Sequence, residues 1–189
     1  MPDRAGRWSA RIPRHRRAPA NFNSENRPLT RLVIVLPLVP LRTGDSFAVS
    51  DWPLHITVLP PFATAAPASE IAEAMSAVAH AVPAIAGTAG PDAMFGRRHN
   101  VLVTLVEENE PLNAMHRALV AAVRPFAAAP DERAFTGSGF RPHITIKNSS
   151  RAHDGDRLVL TQISLVDMAP RAASSGRTVL ATAALRPTP

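Results

Sequence analysis

The sequence predicts an α+β fold in which mostly antiparallel strands are covered by at least two outer helices. Short β-branched apolar runs bounded by turn residues indicate the strands, and two longer segments with apolar residues at helical spacing indicate the helices. From Thr30 onward the chain also reads as two similar passages, each with an apolar strand, a turn, a His-containing strand and helical material. An internal duplication is the simplest description of this pattern.

The first passage starts with a predicted buried strand at residues 31–37 (RLVIVLP). A second strand follows at 54–59 (LHITVL), and the prolines at 60–61 are expected to end it. A helix is predicted at 68–82, because its apolar side chains recur every three or four positions and Ser69 can serve as its N-cap.

The second passage repeats this order. A strand is predicted at 100–106 (NVLVTLV) and a helix at 111–126, with Pro111 well suited to a first helical turn. A Gly-rich stretch at 135–140 (FTGSGF) then leads to the second His-containing strand at 143–146. The chain closes with two predicted strands at 158–166 and 178–185, separated by a turn at 170–176.

The formal net charge of +6 is concentrated in residues 1–28. That segment has seven arginines against Asp3 and Glu25, so it carries +5 and the remaining 161 residues carry +1. It is rich in Pro, Asn and Ser and lacks apolar periodicity, so we expect a disordered basic tail and a single domain over 29–189. A flexible leader or an overextended reading frame is one interpretation of the tail. A weak RNA-attracting arm and an organelle transit peptide are the others.

The composition excludes several kinds of site. The chain has no Cys, which rules out disulfides, zinc-thiolate sites and thiol nucleophiles. A reducing compartment is compatible with this composition, and we expect a cytoplasmic protein that acts as a monomer. The longest apolar run, at 32–41, is interrupted by Pro37 and Pro40 and is too short to span a bilayer, so no membrane partner is expected.

The tripeptide His-Ile-Thr occurs twice, and the two copies are separated by 88 residues. On an extended strand, residues i and i+2 point to the same face, about 6.6 to 6.8 Å apart. His55 and Thr57 therefore project together, and so do His143 and Thr145, while the apolar residues between and after them face a core. Each motif thus presents an imidazole and a hydroxyl on a polar face.

Two imidazoles facing each other across a cleft suit acid–base chemistry on a phosphate ester. Cleaving a phosphodiester requires one group to take a proton from the attacking water or hydroxyl and another to protonate the leaving oxygen. A His side chain can take either role near neutrality, because its ordinary pKa is about 6.5. Thr57 and Thr145 can donate hydrogen bonds to the non-bridging phosphoryl oxygens. The sequence leaves open which of His55 and His143 is the acid and which is the base.

The two motifs and their flanking residues resemble the 2H phosphoesterase superfamily, which includes 2′-5′ RNA ligase-like proteins and cyclic nucleotide phosphodiesterases. The resemblance is carried by WPLHITVLPPF at 52–62 and FRPHITIK at 140–147, and it extends over about residues 30–187. It implies a bilobal fold with pseudo-twofold symmetry, one HxTx strand from each lobe, and a cleft between the lobes that uses no metal or other cofactor. It also implies that the substrate is a nucleotide or RNA terminus with a cyclic phosphate or a 2′-5′ linkage.

Four residues beside the motifs are candidates for substrate binding. Lys147 and Arg141 have the strand parity of the second motif, so their cationic groups can meet a phosphate unless the strand frays beyond Lys147 or starts after Arg141. Phe62 and Phe140 flank the two motifs, where each either stacks on a base or seals the core.

Other reaction classes fit the sequence less well. A zinc hydrolase needs at least three protein ligands, whereas each motif supplies one, and Asp51 is the nearest further candidate. Histidine-triad hydrolases have alternating histidines where this chain has Thr, and the GSG at 137–139 is too short for the GxSxG elbow of a serine hydrolase. A non-catalytic nucleotide- or RNA-binding module that uses the same pocket is the alternative from a different class.

Overall fold

One sheet of nine strands runs through the part of the chain that the structure describes. The structure is a computed structural model that describes residues 28–96, 98–136, 139–147, 150–168 and 176–187. The strands are β1 (Thr30–Pro37), β2 (Ser46–Phe47), β3 (His55–Thr64), β4 (Ile85–Phe95), β5 (Val101–Val106), β6 (His143–Thr145), β7 (Arg157–Leu160), β8 (Gln162–Asp167) and β9 (Arg177–Ala184). They pair antiparallel in the order β2-β9-β8-β1-β3-β6-β5-β4-β7.

Three helices accompany this sheet in the described residues. They are α1 (Ala68–Ala81), α2 (Glu110–Val123), which continues as a 3₁₀ turn at Arg124–Phe126, and the short α3 (Arg133–Thr136). α1 packs on β8, β9 and α2, and both α2 and α3 pack on β3. The predicted α+β class is thus confirmed. The predicted two-lobed duplication stays a prediction, because the described strands form one continuous sheet.

Alternating side chains on β1 and β3 separate two apolar layers. One layer lies on the helix side and contains Leu32, Ile34, Leu36, Ile56 and Val58 together with the inward faces of α1 and α2. The smaller layer lies on the opposite face and contains Val33, Val35, Leu41, Trp52, Val166 and Val179. Since Ile56 faces the helices, its neighbours His55 and Thr57 face the other side of the sheet.

The strands predicted at 31–37, 100–106 and 178–185 are confirmed as β1, β5 and β9, and the two predicted helices as α1 and α2. The cap of α1 differs from the prediction. Its N-cap is Pro67, without a side-chain cap hydrogen bond, and Ser69 lies inside the first turn. α2 carries Pro111 in its first turn, as predicted, and Asn109 caps it by accepting a hydrogen bond from the backbone N–H of Leu112 at 3.1 Å.

β3 continues through Pro60 and Pro61 to Thr64, so the prediction that these prolines end the strand is wrong. The register against β1 shifts at this point, because Leu32 pairs with Phe62 while Ile34 pairs with Leu59. β3 therefore uses one residue more than β1 over the same length. Such a bulge leaves a residue outside the hydrogen-bonded ladder, and it is one of the few places where a strand accommodates Pro.

The single strand predicted at 158–166 is in fact two strands. The predicted strand is interrupted at Thr161. β7 pairs with β4 at one edge of the sheet, whereas β8 pairs with β1, beyond the HxTx strands in the pairing order. β4 was not predicted, because Gly90 and Pro91 interrupt its apolar pattern at a register shift against β5.

The tail at 1–27 and most of the turn predicted at 170–176 lie outside the described residues. Within those residues, no helix is both long and apolar enough to cross a membrane.

Candidate active site

The two His-Ile-Thr strands lie side by side at the centre of the sheet. β3 pairs antiparallel with β6, with Ile56 directly opposite Ile144, and both isoleucines are fully buried on the helix side. Continuing this register sets His55 across from Thr145 and Thr57 across from His143, on the opposite face. The two histidines occupy a diagonal, for which the Cα separation is about 7–8 Å. We call these four side chains the HxTx face.

Both imidazole rings are held in the same way by their own strand. Nδ1 of His55 bonds to the carbonyl oxygen of Pro53 at 2.7 Å, and Nδ1 of His143 bonds to the carbonyl oxygen of Arg141 at 2.8 Å. A carbonyl oxygen only accepts, so each Nδ1 carries the proton and donates it. Nε2 is therefore the nitrogen left for proton transfer in each ring, and it is an acceptor when the ring is neutral.

The surroundings of His55 favour its neutral form. Its side chain is buried, and its ring stacks on Trp52 with centroids 4.0 Å apart and planes at 30°. Burial lowers the pKa of His55 to about 4, with further lowering by the charges of Lys147 and His143, while the bond to Pro53 acts in the opposite direction. His55 is thus unprotonated at neutral pH.

The surroundings of His143 are more open. This ring is partly exposed and lies 4.5 Å from the ring of Phe95, at an angle of 50°. A cavity of about 510 Å³ adjoins it, and its lining includes Thr57, Phe95, His99, Phe140, Arg141 and His143. Because His55 does not line this cavity, the HxTx face opens to the cavity on the His143 side.

The four residues predicted to bind substrate have different surroundings in the structure. Phe62 is fully buried and packs edge-on against Phe135 at 5.5 Å, so it seals the core and has no surface with which to contact a ligand. Phe140 lines the cavity, with its ring stacked on His116 at 4.2 Å. Arg141 is exposed at the cavity wall, with its guanidinium carbon 5.2 Å from the centre of the Phe95 ring.

Lys147, the fourth candidate, lies against the segment 49–52 and not in the cavity wall. Its Nζ donates to the carbonyl oxygen of Trp52 at 3.1 Å and to that of Val49 at 3.4 Å. Nζ also lies 5.0 Å from the centre of the Trp52 ring. An ammonium has three N–H donors, so these two bonds leave at most one for a phosphate.

Two aromatic residues of the site, Trp52 and Phe95, were not predicted from the sequence. Trp52 is the first residue of the motif segment 52–62, but strand parity did not predict that its ring would stack on His55. Phe95 belongs to β4, the strand that was not predicted, so no sequence signal pointed to it. His116 has a structural role, because it is buried in α2 and its Nδ1 donates to the carbonyl oxygen of Val58 at 2.7 Å.

No group of three or more His, Cys, Asp or Glu side chains within the described ranges could hold a metal ion. The chemistry that the described site offers is therefore that of two imidazoles and two hydroxyls. One imidazole is held neutral, and the other is open to a cavity with aromatic and cationic walls.

Comparisons with known proteins are consistent with this geometry. A family model described as the 2′-5′ RNA ligase superfamily matches residues 34–171. No curated protein sequence matches the chain. A crystal structure of a phosphoesterase has a TM-score of 0.53 at 19% identity, covering 83% of this chain and 99% of that chain.

Two further solved structures have the same fold. E. coli LigT complexed with 3′-AMP has a TM-score of 0.52 at 18% identity, covering 84% of this chain and 99% of LigT. The protein TT0787 of Thermus thermophilus has a TM-score of 0.55 at 17% identity, covering 85% of this chain and 100% of TT0787. At such identities the likeness is one of fold.

Proposed function

Because the chain belongs to the 2′-5′ RNA ligase superfamily, as its paired motifs predict, we propose that it is a phosphoesterase acting on a nucleotide or an RNA end. The proposed reaction hydrolyses a cyclic phosphate or a 2′-5′ type phosphodiester by acid–base catalysis, without a metal ion. The observation that carries the proposal is the antiparallel pairing of β3 with β6, which brings both imidazoles and both hydroxyls to one face.

His55 is the proposed general base. Its pKa of about 4 keeps the ring neutral at neutral pH, and the bond from Nδ1 to Pro53 leaves Nε2 as the acceptor. His143 is the proposed general acid, because it lines the cavity that would hold the nucleoside. The leaving oxygen of a 2′,3′-cyclic phosphate belongs to the ribose of that nucleoside, so it would lie next to His143.

The proton transfers balance in this arrangement. A water oxygen bonds to phosphorus while Nε2 of His55 takes one proton from that water. The bond between phosphorus and one ribose oxygen breaks, and His143 donates a proton to that oxygen. The product is a ribonucleoside monophosphate, and both histidines return to their starting states by exchanging protons with solvent. The Thr57 and Thr145 hydroxyls would donate hydrogen bonds to the non-bridging oxygens, where negative charge builds up.

The cavity beside His143 supports a nucleoside as the bound group. Its volume of about 510 Å³ lies within the usual range of small-molecule sites. Phe95 and Phe140 offer aromatic surfaces on which a base can stack, and Arg141 offers a cation. Structures of E. coli LigT complexed with 3′-AMP, NADP+ and ATP further support nucleotides as the ligands to test.

The test is a substrate panel followed by ³¹P NMR in the presence of a chelator. The panel contains 2′,3′-cyclic nucleotides, ADP-ribose cyclic phosphate and 2′-5′ dinucleotides. We expect turnover of at least one of these compounds to persist with the chelator. His55→Ala and His143→Ala should each lower kcat by about 10² to 10⁴ fold, because each removes a proton-transfer group.

His80→Ala is the matched control, since His80 is an exposed histidine in the last turn of α1. It should leave the rate unchanged. Undiminished turnover in both active-site variants would contradict the site assignment. Nucleotide binding by the unmodified chain with no product after long incubation would instead favour the non-catalytic binding module.

A further inference from the structure

Lys147 is the only lysine among the 21 Lys and Arg residues of the chain, and it follows the second motif by two residues. We propose that it is a positioning residue: its ammonium clamps the segment 49–52 so that Trp52 stays stacked on His55, and its charge faces that ring. This inference deepens the proposed function, on which its kinetic part rests. It gives Lys147 a different task from the phosphate contact that strand parity predicts.

The clamp consists of two hydrogen bonds across a long sequence separation. Nζ of Lys147 donates to the carbonyl oxygens of Val49 and Trp52, which lie in the segment leading into β3. A lysine ammonium is compact and its three donors rotate, so it can bond two carbonyl oxygens of one loop. β6 is thereby tied to the residues that carry the Trp52 ring.

The Trp52 ring is held by packing and charge, and not by its own polar atom. Its indole N–H has no hydrogen-bond partner among the described residues. The ring packs in the apolar layer with Val33 and Val35, and its centre lies 5.0 Å from Nζ of Lys147 and 6.0 Å from the guanidinium carbon of Arg177. Removing Lys147 would therefore remove both a cation on the ring and the anchor of its backbone.

The charges around His55 also disfavour its protonation. The charges of Lys147 and His143 both lower the pKa of His55. Burial lowers the pKa of Lys147 itself, and the charge of Arg177 acts in the same direction. The charge of Asp51 acts in the opposite direction and raises the pKa of Lys147. No carboxylate in the described residues lies within ion-pair distance of Nζ, so its charge is not cancelled by a direct partner.

The first test is an NMR titration of His55 in the full chain, and it requires no substrate. Lys147→Met removes the charge and the two hydrogen bonds while keeping a side chain of similar length. We expect the pKa of His55 to rise by about 0.5 to 1, the size expected for one partly screened charge. The ring protons of His55 should also lose shielding by Trp52, and His55→Asn assigns the resonance. Arg117→Met removes an equal charge from the outer face of α2 and should change neither signal.

The second test separates positioning from phosphate binding. On any substrate identified for the chain, Lys147→Met should lower kcat about tenfold or more and leave KM within about twofold. Lys147→Arg, which keeps the charge and can donate to carbonyl oxygens, should recover part of kcat. A rise in KM of tenfold with an unaltered His55 pKa would overturn the proposal in favour of a phosphate ligand.

A negative result in the NMR test does not imply a negative result in the turnover test, and the reverse also holds. An unaltered pKa and chemical shift of His55 in Lys147→Met would overturn the positioning role, even if the chain is an active phosphoesterase. Absence of turnover in the unmodified chain would contradict the proposed function but leave the NMR result decisive for Lys147. If Lys147→Met does not fold, acetylating the amines of the folded chain provides the same charge change, because Lys147 is its only side-chain amine.

Discussion

His55 and His143 share one backbone geometry but have unlike neighbours. Each Nδ1 donates to the carbonyl oxygen two residues earlier, so the two rings are oriented by the same local bond. The neighbours differ because Trp52 stacks on His55 and Lys147 bonds to the Trp52 backbone, whereas a cavity opens beside His143. Two chemically identical side chains therefore differ in burial and in access to the cavity, and burial lowers the pKa of His55.

The acid limb of the pH profile tests this asymmetry at the residue scale. His55 can act as a base only while it is neutral, so kcat/KM should fall as the pH drops through about 4, the pKa of the buried ring. Because burial lowers the pKa, activity should persist well below the ordinary His value of 6.5. Initial rates measured from pH 3 to 9 on the best substrate of the panel check this. An acid limb near 6.5 would contradict the burial of the base.

Each HxTx strand has one polar face and one anchoring face. Ile56 and Ile144 meet across the β3–β6 pair in the helix-side core, and their burial determines which way the neighbouring His and Thr side chains point. Local alternation predicted this much of the site. It did not predict that β3 runs on through Pro60 and Pro61, because the bulge that accommodates them exists only in the pairing with β1.

Shortening the side chain of Ile144 should destabilise β6, the three-residue strand that carries His143. Ile144 is fully buried, so Ile144→Ala should lower the free energy of unfolding by about 2 to 5 kcal/mol, through lost burial and the cavity left behind. Val159→Ala is the matched control, because Val159 is 56% exposed on β7 and should cost about 0.5 kcal/mol or less. Urea denaturation followed by circular dichroism measures both. Equal losses in the two variants would show that the inward face of β6 does not anchor the site.

At the scale of the whole molecule, the order of the strands joins the two halves of the site. β3 and β6 are neighbours although 88 residues separate their histidines. β7 and β8 have five strands between them in the pairing order, although only Thr161 separates them in the chain. The chain thus changes its pairing partner from β4 to β1 within a single residue. Such long-range connections cannot be read from a local hydrophobic run, which is why 158–166 was predicted as one strand.

The basic tail gives a prediction at the same scale. Deleting residues 1–27 removes a formal charge of +5 and leaves the chain at +1. We expect binding to a long RNA to weaken and to lose most of its salt dependence, because phosphate contacts release counterions. Hydrolysis of a small cyclic nucleotide should keep its kcat/KM. Fluorescence anisotropy between 50 and 300 mM salt, beside a turnover assay, measures the two effects. An unchanged salt slope would exclude the tail as an RNA-attracting arm.

The sequence by itself determined that His55 and Thr57 share a strand face, that His143 and Thr145 do the same, and that these side chains suit acid–base chemistry. Period-two alternation is a local property, so it is legible along the chain. Only the tertiary structure decided that β3 pairs with β6, that Trp52 stacks on His55, that Phe95 joins the cavity, and that Phe62 does not. Burial and pKa arise from contacts between distant segments, so the different roles proposed for the two histidines rest on the fold.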